Sequence, residues 1–95
     1  MYAYKLCQVD YALKDSNAEI MRGSGSLWLS PDSIFIKTDE RWYYLPGSNI
    51  LNMAIINNMM IIGLKNKIKV ELKSKNIYIL RALYHYLEGG VWRRA

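Results

Sequence analysis

One cysteine, one histidine and two prolines are all that 95 residues provide, and each scarcity closes a class of explanation. A single Cys7 excludes an internal disulfide framework and fits a reducing compartment, so a cytoplasmic location is expected. A single His85 leaves serine or cysteine nucleophiles without a nearby base, and there is no Gly-x-Ser-x-Gly elbow. Apolar runs are short: Met59–Ile62 falls far below the ~20 residues needed to span a bilayer, so no transmembrane segment is expected. The N-terminal MYAYKLCQVDYALKD has polar or charged residues at positions 5, 8, 10 and 14 and so lacks the apolar block of a signal peptide; the chain reads as mature. Long proline, serine or glutamine tracts are missing too, which gives no expectation of disorder.

What remains is 52% hydrophobic and 22% charged, the balance of one globular domain, expected over residues 1–90 with 91–95 as a C-terminal tail. The net charge of +5 raises a polyanion as partner. Most basic residues are scattered among the eight acids, and only Lys65, Lys67, Lys69, Lys73 and Lys75 gather, in KNKIKVELKSK. These five are the candidate polyanion contact, weighed against a solvated strand face.

The segment Lys67–Lys73 alternates strictly, with Ile68, Val70 and Leu72 opposite Lys67, Lys69, Glu71 and Lys73, which predicts a half-buried antiparallel strand. Met59–Leu64 precedes it across the short connection Lys65-Asn66, so residues 59–73 are expected to form a hairpin. Upstream, Cys7, Val9, Tyr11 and Leu13 share a face, Lys14–Asn17 reads as a turn, and Glu19–Leu29 as a second strand. In that strand Gly23 and Gly25 fall on one side with Met21, Leu27 and Leu29, the mark of a bend or a close backbone approach in a curved sheet. Ser30-Pro31-Asp32-Ser33 has proline where a type I turn favours it, and joins Leu27–Leu29 to Ile34–Ile36. Thr38–Glu40 is expected to turn the chain into Arg41–Leu45, ended by Pro46-Gly47. Asparagines 49, 52, 57 and 58 interrupt residues 47–58, which predicts a loop or a short strand. From Asn76 the period changes: Ile77, Leu80, Leu83, Tyr84 and Leu87 mark one amphipathic helix, with Ser74 as candidate cap and Gly89-Gly90 as stop.

The expected architecture is mainly β (α+β): a curved antiparallel sheet or split β-barrel of six to seven strands, with one C-terminal helix capping an open end. At this point the string Gly23–Ile36 resembles the "G-x-L-x-L-(S/T)-x-x-(K/R)-L-x-(F/V)" hairpin of pleckstrin-homology-like and GRAM-type domains, with Ser33 in place of the usual Lys or Arg. Leu45–Ile50 is similar to the "I-P-L-S-x-I" stretch that follows, so the resemblance covers about residues 19–88. Within that superfamily the chain most resembles the archaeal taxis adaptor family CheF, whose members are built from two such halves. The resemblance implies a PH-like fold and a non-catalytic binding module for peptides, domains or phosphoinositides. The first turn, Lys14–Asn17, offers one Lys beside one Asp, a poor phosphate cradle.

No catalytic, cofactor or metal site is expected. His85 and Glu88 stand at i, i+3 without further ligands, and Cys7 shares an apolar face as a buried inert thiol. Aromatics carry more information. If Leu27, Leu29, Ile34 and Ile36 point inward, Trp28 and Phe35 turn to the opposite face, where large aromatics call for cover. Trp28, Phe35, Trp42 and Tyr44 are therefore the candidate partner-binding residues, for another protein or a second copy. The alternative is an internal lid made by residues 47–58 or by Trp92. Nucleic acid, stacked on the aromatics and neutralised by Lys37 and Arg41, ranks second, and anionic lipid third.

Overall fold

The computed structural model describes residues 3–89. Seven strands follow in order: β1 (Tyr4–Asp15), β2 (Ala18–Ser30), β3 (Ser33–Lys37), β4 (Trp42–Pro46), β5 (Ile50–Ile56), β6 (Met59–Leu64) and β7 (Ile68–Lys73). The helix α1 (Ile77–Glu88) closes the series. All seven strands lie in one antiparallel sheet of order β4-β3-β2-β1-β7-β6-β5, left unclosed between β4 and β5. Two long strands organise it. The C-terminal part of β1, Asp10–Asp15, pairs with both β2 and β7, while β2 passes its C-terminal part, Ser26–Ser30, to β3.

The core forms where the two halves of the bent sheet face each other. Val9, Tyr11, Leu27, Ile34, Ile36 and Leu45 come from one half, Ile50, Met60, Ile62, Leu64, Val70 and Leu72 from the other. Leu80, Leu83 and Leu87 of α1 complete it, and the helix lies against β5 and β6. Alternation assigned these faces correctly, with Leu29 only half-buried at the rim. The bend has a local cause at Gly25: a β-carbon there would collide with the Lys37 carbonyl, so the backbone of β3 can close on β2 only over a bare Cα. At Gly23 the added carbon would lie 2.7 Å from the Tyr11 hydroxyl, which rests on that residue.

Hairpin turns follow their residues. Ser16-Asn17 and Asn57-Asn58 take left-handed φ values of 52° and 70°, and 52° and 62°, as two-residue loops that match the strand twist. Asn57-Asn58 thus turns residues 47–58 into part of a hairpin; a short 3₁₀ turn, Gly47–Asn49, leads into β5, so of the two expected alternatives the strand is the one formed. The β6–β7 connection is one residue longer than expected. Lys67 sits at φ 71° as the left-handed third residue of a Lys65–Lys67 loop, its N–H donating to the Leu64 carbonyl at 3.1 Å. Lys67 is therefore a turn residue, not part of the strand face. Pro31-Asp32 makes the β2–β3 turn, and the buried hydroxyls of Ser30 and Ser33 bond each other and Asp32 Oδ1. That is structural use of both serines.

At the helix start Ser74 is not the cap. Asn76 holds that position without a side-chain bond, and Ser74 Oγ instead accepts the Asn76 N–H at 3.1 Å. Gly89 ends α1 in right-handed conformation; Gly90 and the expected tail 91–95 lie outside the described residues. No helix among the described residues is long and apolar enough to cross a membrane.

Candidate interaction surface

Strand register lays the four candidate aromatics on one outer face. Lys5, Trp28, Phe35 and Tyr44 are neighbours in one row across β1 to β4; Gln8, Ser26, Lys37 and Trp42 form the next. Trp42 reaches diagonally over both rings of the adjacent row, with centroids 5.6 Å from Trp28 and 5.9 Å from Phe35, both edge-to-face. Phe35 meets Tyr44 at 5.1 Å. These separations lie within the range of favourable ring pairing. The two inner rings, Trp28 and Phe35, are half-buried by the outer two, whereas Trp42 and Tyr44 remain 50% and 53% exposed.

Among the described residues the cover comes from β4, not from residues 47–58. Residues 47–58 build β5 at the far edge of the sheet, and Trp92 lies outside the described residues. Polar groups tie the patch down: Trp28 Nε1 donates to Ser26 Oγ at 2.9 Å, and Lys37 Nζ stands 5.2 Å from the Trp42 ring centroid, a cation–π distance. Beside the rings opens a cleft of about 380 Å³, with Trp28 as one wall and Lys5, Gln8, Ser26, Lys37 and Asp39 around it. The arrangement offers apolar area and two ammonium groups beside the one carboxylate of Asp39.

No protein-family model matches the chain. No curated protein matches it either.

The lysines do not converge as the sequence run suggests. Lys69 and Lys73 share the outer face of β7, but Lys65 and Lys67 lie in the turn and Lys75 beyond the strand. The register brings in one acid from β1, Asp10, and one further base, Lys14, which stands opposite Lys69. Lys14 Nζ bonds Glu71 at 3.0 Å, and Lys73 stands opposite Asp10, whose carboxylate accepts Ser24 Oγ at 2.6 Å. Lys14 and Asp10 were invisible as neighbours of this run because they are some sixty positions away in the chain. Met59 also faces out here, opposite Lys73, whereas Met60 is core.

On the inner side, Tyr11 and Tyr43 meet at 5.6 Å and the Tyr43 hydroxyl donates to Met21 Sδ at 3.2 Å. Burial, then bonding to Tyr43, hold the Tyr11 hydroxyl above the usual phenol range, partly offset by Arg41. His85 is an exposed helix residue beside Tyr84, and Cys7 is half-buried rather than buried. Among the described residues no three His, Cys, Asp or Glu gather as metal ligands.

Proposed function

We propose that this chain is a non-catalytic interaction module of pleckstrin-homology-like type, and that its partner is another protein bound on the outer aromatic face of β2, β3 and β4. One observation carries the reading: Trp28, Phe35, Trp42 and Tyr44 form a continuous patch whose two outermost rings stay half exposed. Clustered Trp and Tyr with a basic rim are the residues that concentrate binding energy at protein contacts, and an exposed aromatic patch is costly to leave in water. The all-antiparallel seven-strand order and the single terminal helix support the PH-like part of the proposal. An adaptor role in taxis signalling is the setting that the sequence resemblance favours.

Lys37 over Trp42 is also how a single-stranded nucleic acid could be held, so the test must separate the two. A photo-crosslinking amino acid is placed at Trp42 and, as control, at Lys69, and products from the native source are identified by mass spectrometry. A protein adduct specific to position 42 and lost on Tyr44→Ser supports the proposal. Nucleic-acid adducts at 42, with micromolar oligonucleotide binding that falls steeply with salt, replace it.

A further inference from the structure

The aromatic strand β4 is also an open edge, and its backbone decides what can pair with it. Thr38 N–H donates to the Arg41 carbonyl at 2.9 Å, and Gly47 N–H to the Asp32 carbonyl at 2.8 Å. Backbone groups alternate in direction along a strand, so Arg41, Tyr43, Leu45 and Gly47 face β3. Trp42, Tyr44 and Pro46 then turn their backbone groups to the free side, where no further strand among the described residues is paired. Pro46 has no N–H and ends the donor row. Charge and proline, usual defences of an unpaired strand, stand only at its ends, in Arg41 and Pro46, and leave Trp42–Leu45 between them open. The opposite terminal strand, β5, has α1 packed against it.

We propose that the β4 edge receives a short, extended, acidic segment of another protein, added antiparallel as an eighth strand. This deepens the protein-binding reading above and rests on it. Two arguments select this occupant over a second copy of the chain. Only Trp42 and Tyr44 offer both donor and acceptor, a span that fits a short segment and falls short of the ~1,200 Å² that a stable dimer interface buries. A chain of charge +5 repels its own copy and attracts an acidic one.

Side-chain chemistry then sets the register. Residues opposite Trp42 and Tyr44 fall on the outer face and extend the aromatic patch, so they are apolar. The residue opposite Arg41 falls on the inner side, in a non-hydrogen-bonded pair where side chains come closest. Arg41 is exposed, 6.0 Å from the Tyr43 ring, and neither of the two ion pairs among the described residues involves it. A carboxylate belongs there. The next residues back along the turn, Glu40 and Asp39, repel an acid placed further on. The recognised pattern, read from its N-terminus, is apolar, any, apolar, acidic, followed by non-acidic residues.

Two fluorescein-labelled peptides test this, one with the core Val-Thr-Val-Asp-Gly-Ser and one with Val-Thr-Val-Thr-Gly-Asp, which moves the acid opposite Asp39. The first is expected to bind with a dissociation constant on the order of 10–100 μM and the second about tenfold more weakly. Arg41→Glu should remove most of that preference. Hydrogen exchange on the unaltered protein, followed by NMR, should slow at the Trp42 and Tyr44 amides when the first peptide is added. Tyr44→Ala keeps the outward N–H and Tyr44→Pro removes it without touching the bonds to β3, so the proline variant should bind about tenfold more weakly than the alanine one. Equal binding of the two peptides, or no binding at millimolar concentration, overturns the inference. Peptide binding that is lost in Trp42→Ser but leaves both amides unprotected overturns strand addition while the aromatic-face reading stands. Protection of the same amides without peptide, with a dimer in sedimentation velocity, assigns the edge to a second copy instead. Loss of the position-42 crosslinked protein adduct as a finding would remove the underlying reading independently of either peptide.

Discussion

The outer faces of the two halves of the sheet obey the same alternation and end in opposite conditions. On β7 and the adjoining part of β1, Lys69, Glu71 and Lys73 meet Lys14, Ala12 and Asp10, and the Lys14–Glu71 pair at 3.0 Å offsets charge within the face itself. On β2, β3 and β4 the same positions carry Trp28, Phe35, Trp42 and Tyr44, which can cover one another only in part. Water stabilises the first face and penalises the second. A run of lysines is therefore weak grounds for a polyanion site when a turn scatters its members and register sets an acid, Asp10, against one of them, whereas a run of outward aromatics leaves a surface that needs a partner.

The largest effect should come from Gly25, the glycine at the bend of the aromatic half. Gly25→Ala drives a β-carbon into the Lys37 backbone and is expected to cost about 2–4 kcal/mol, read as a lowered urea midpoint. Gly63→Ala, in the other half, meets only the movable Asn52 side chain and should cost less than about 1 kcal/mol. Equal costs would break the contrast.

Next come the rings. Trp28→Ser with Phe35→Ser removes the half-buried pair and should cost about 2–4 kcal/mol, while Trp42→Ser with Tyr44→Ser should cost about 1 kcal/mol or less and abolish partner binding. Thermal melting and sedimentation velocity on both doubles check it. Should the second double melt as low as the first, the outer rings are core cover rather than interface.

A smaller gain is expected from Lys67→Gly in the charged half, because φ of 71° is strained for lysine and free for glycine: about 0.5–1 kcal/mol of added stability by denaturant melt. The smallest term is the Lys14–Glu71 pair. Its side chains are 31% and 17% exposed, and a double-mutant cycle to alanine should give a coupling of about 0.2–1 kcal/mol that shrinks in 1 M salt.

Several features are legible in the sequence alone. Ile68, Val70 and Leu72 announced their face by period, Ile77–Leu87 announced the helix, and Pro31-Asp32 announced a turn, since each depends on residues within a few positions. The same alternation identified Trp28 and Phe35 as outward-facing. Residues 47–58 stayed open between a loop and a short strand because scattered asparagines looked like breakers; Asn57-Asn58 is a left-handed turn pair that decides for the strand by making a hairpin of its surroundings. Lys67 was misplaced by one position for a related reason: a strand period continues smoothly into a bulged turn, and only φ separates them.

Local spacing thus decided which side of each strand is oily and where the chain reverses, because pleat and turn geometry act over two to four residues. Pairing between distant segments decided the rest. It placed Trp42 across Trp28 and Phe35, set Asp10 against Lys73, joined Lys14 to Glu71, and left β4 as a bare edge. Those outcomes depend on strand order and register, which are set by the burial of the whole core at once and are written in no single stretch of the chain.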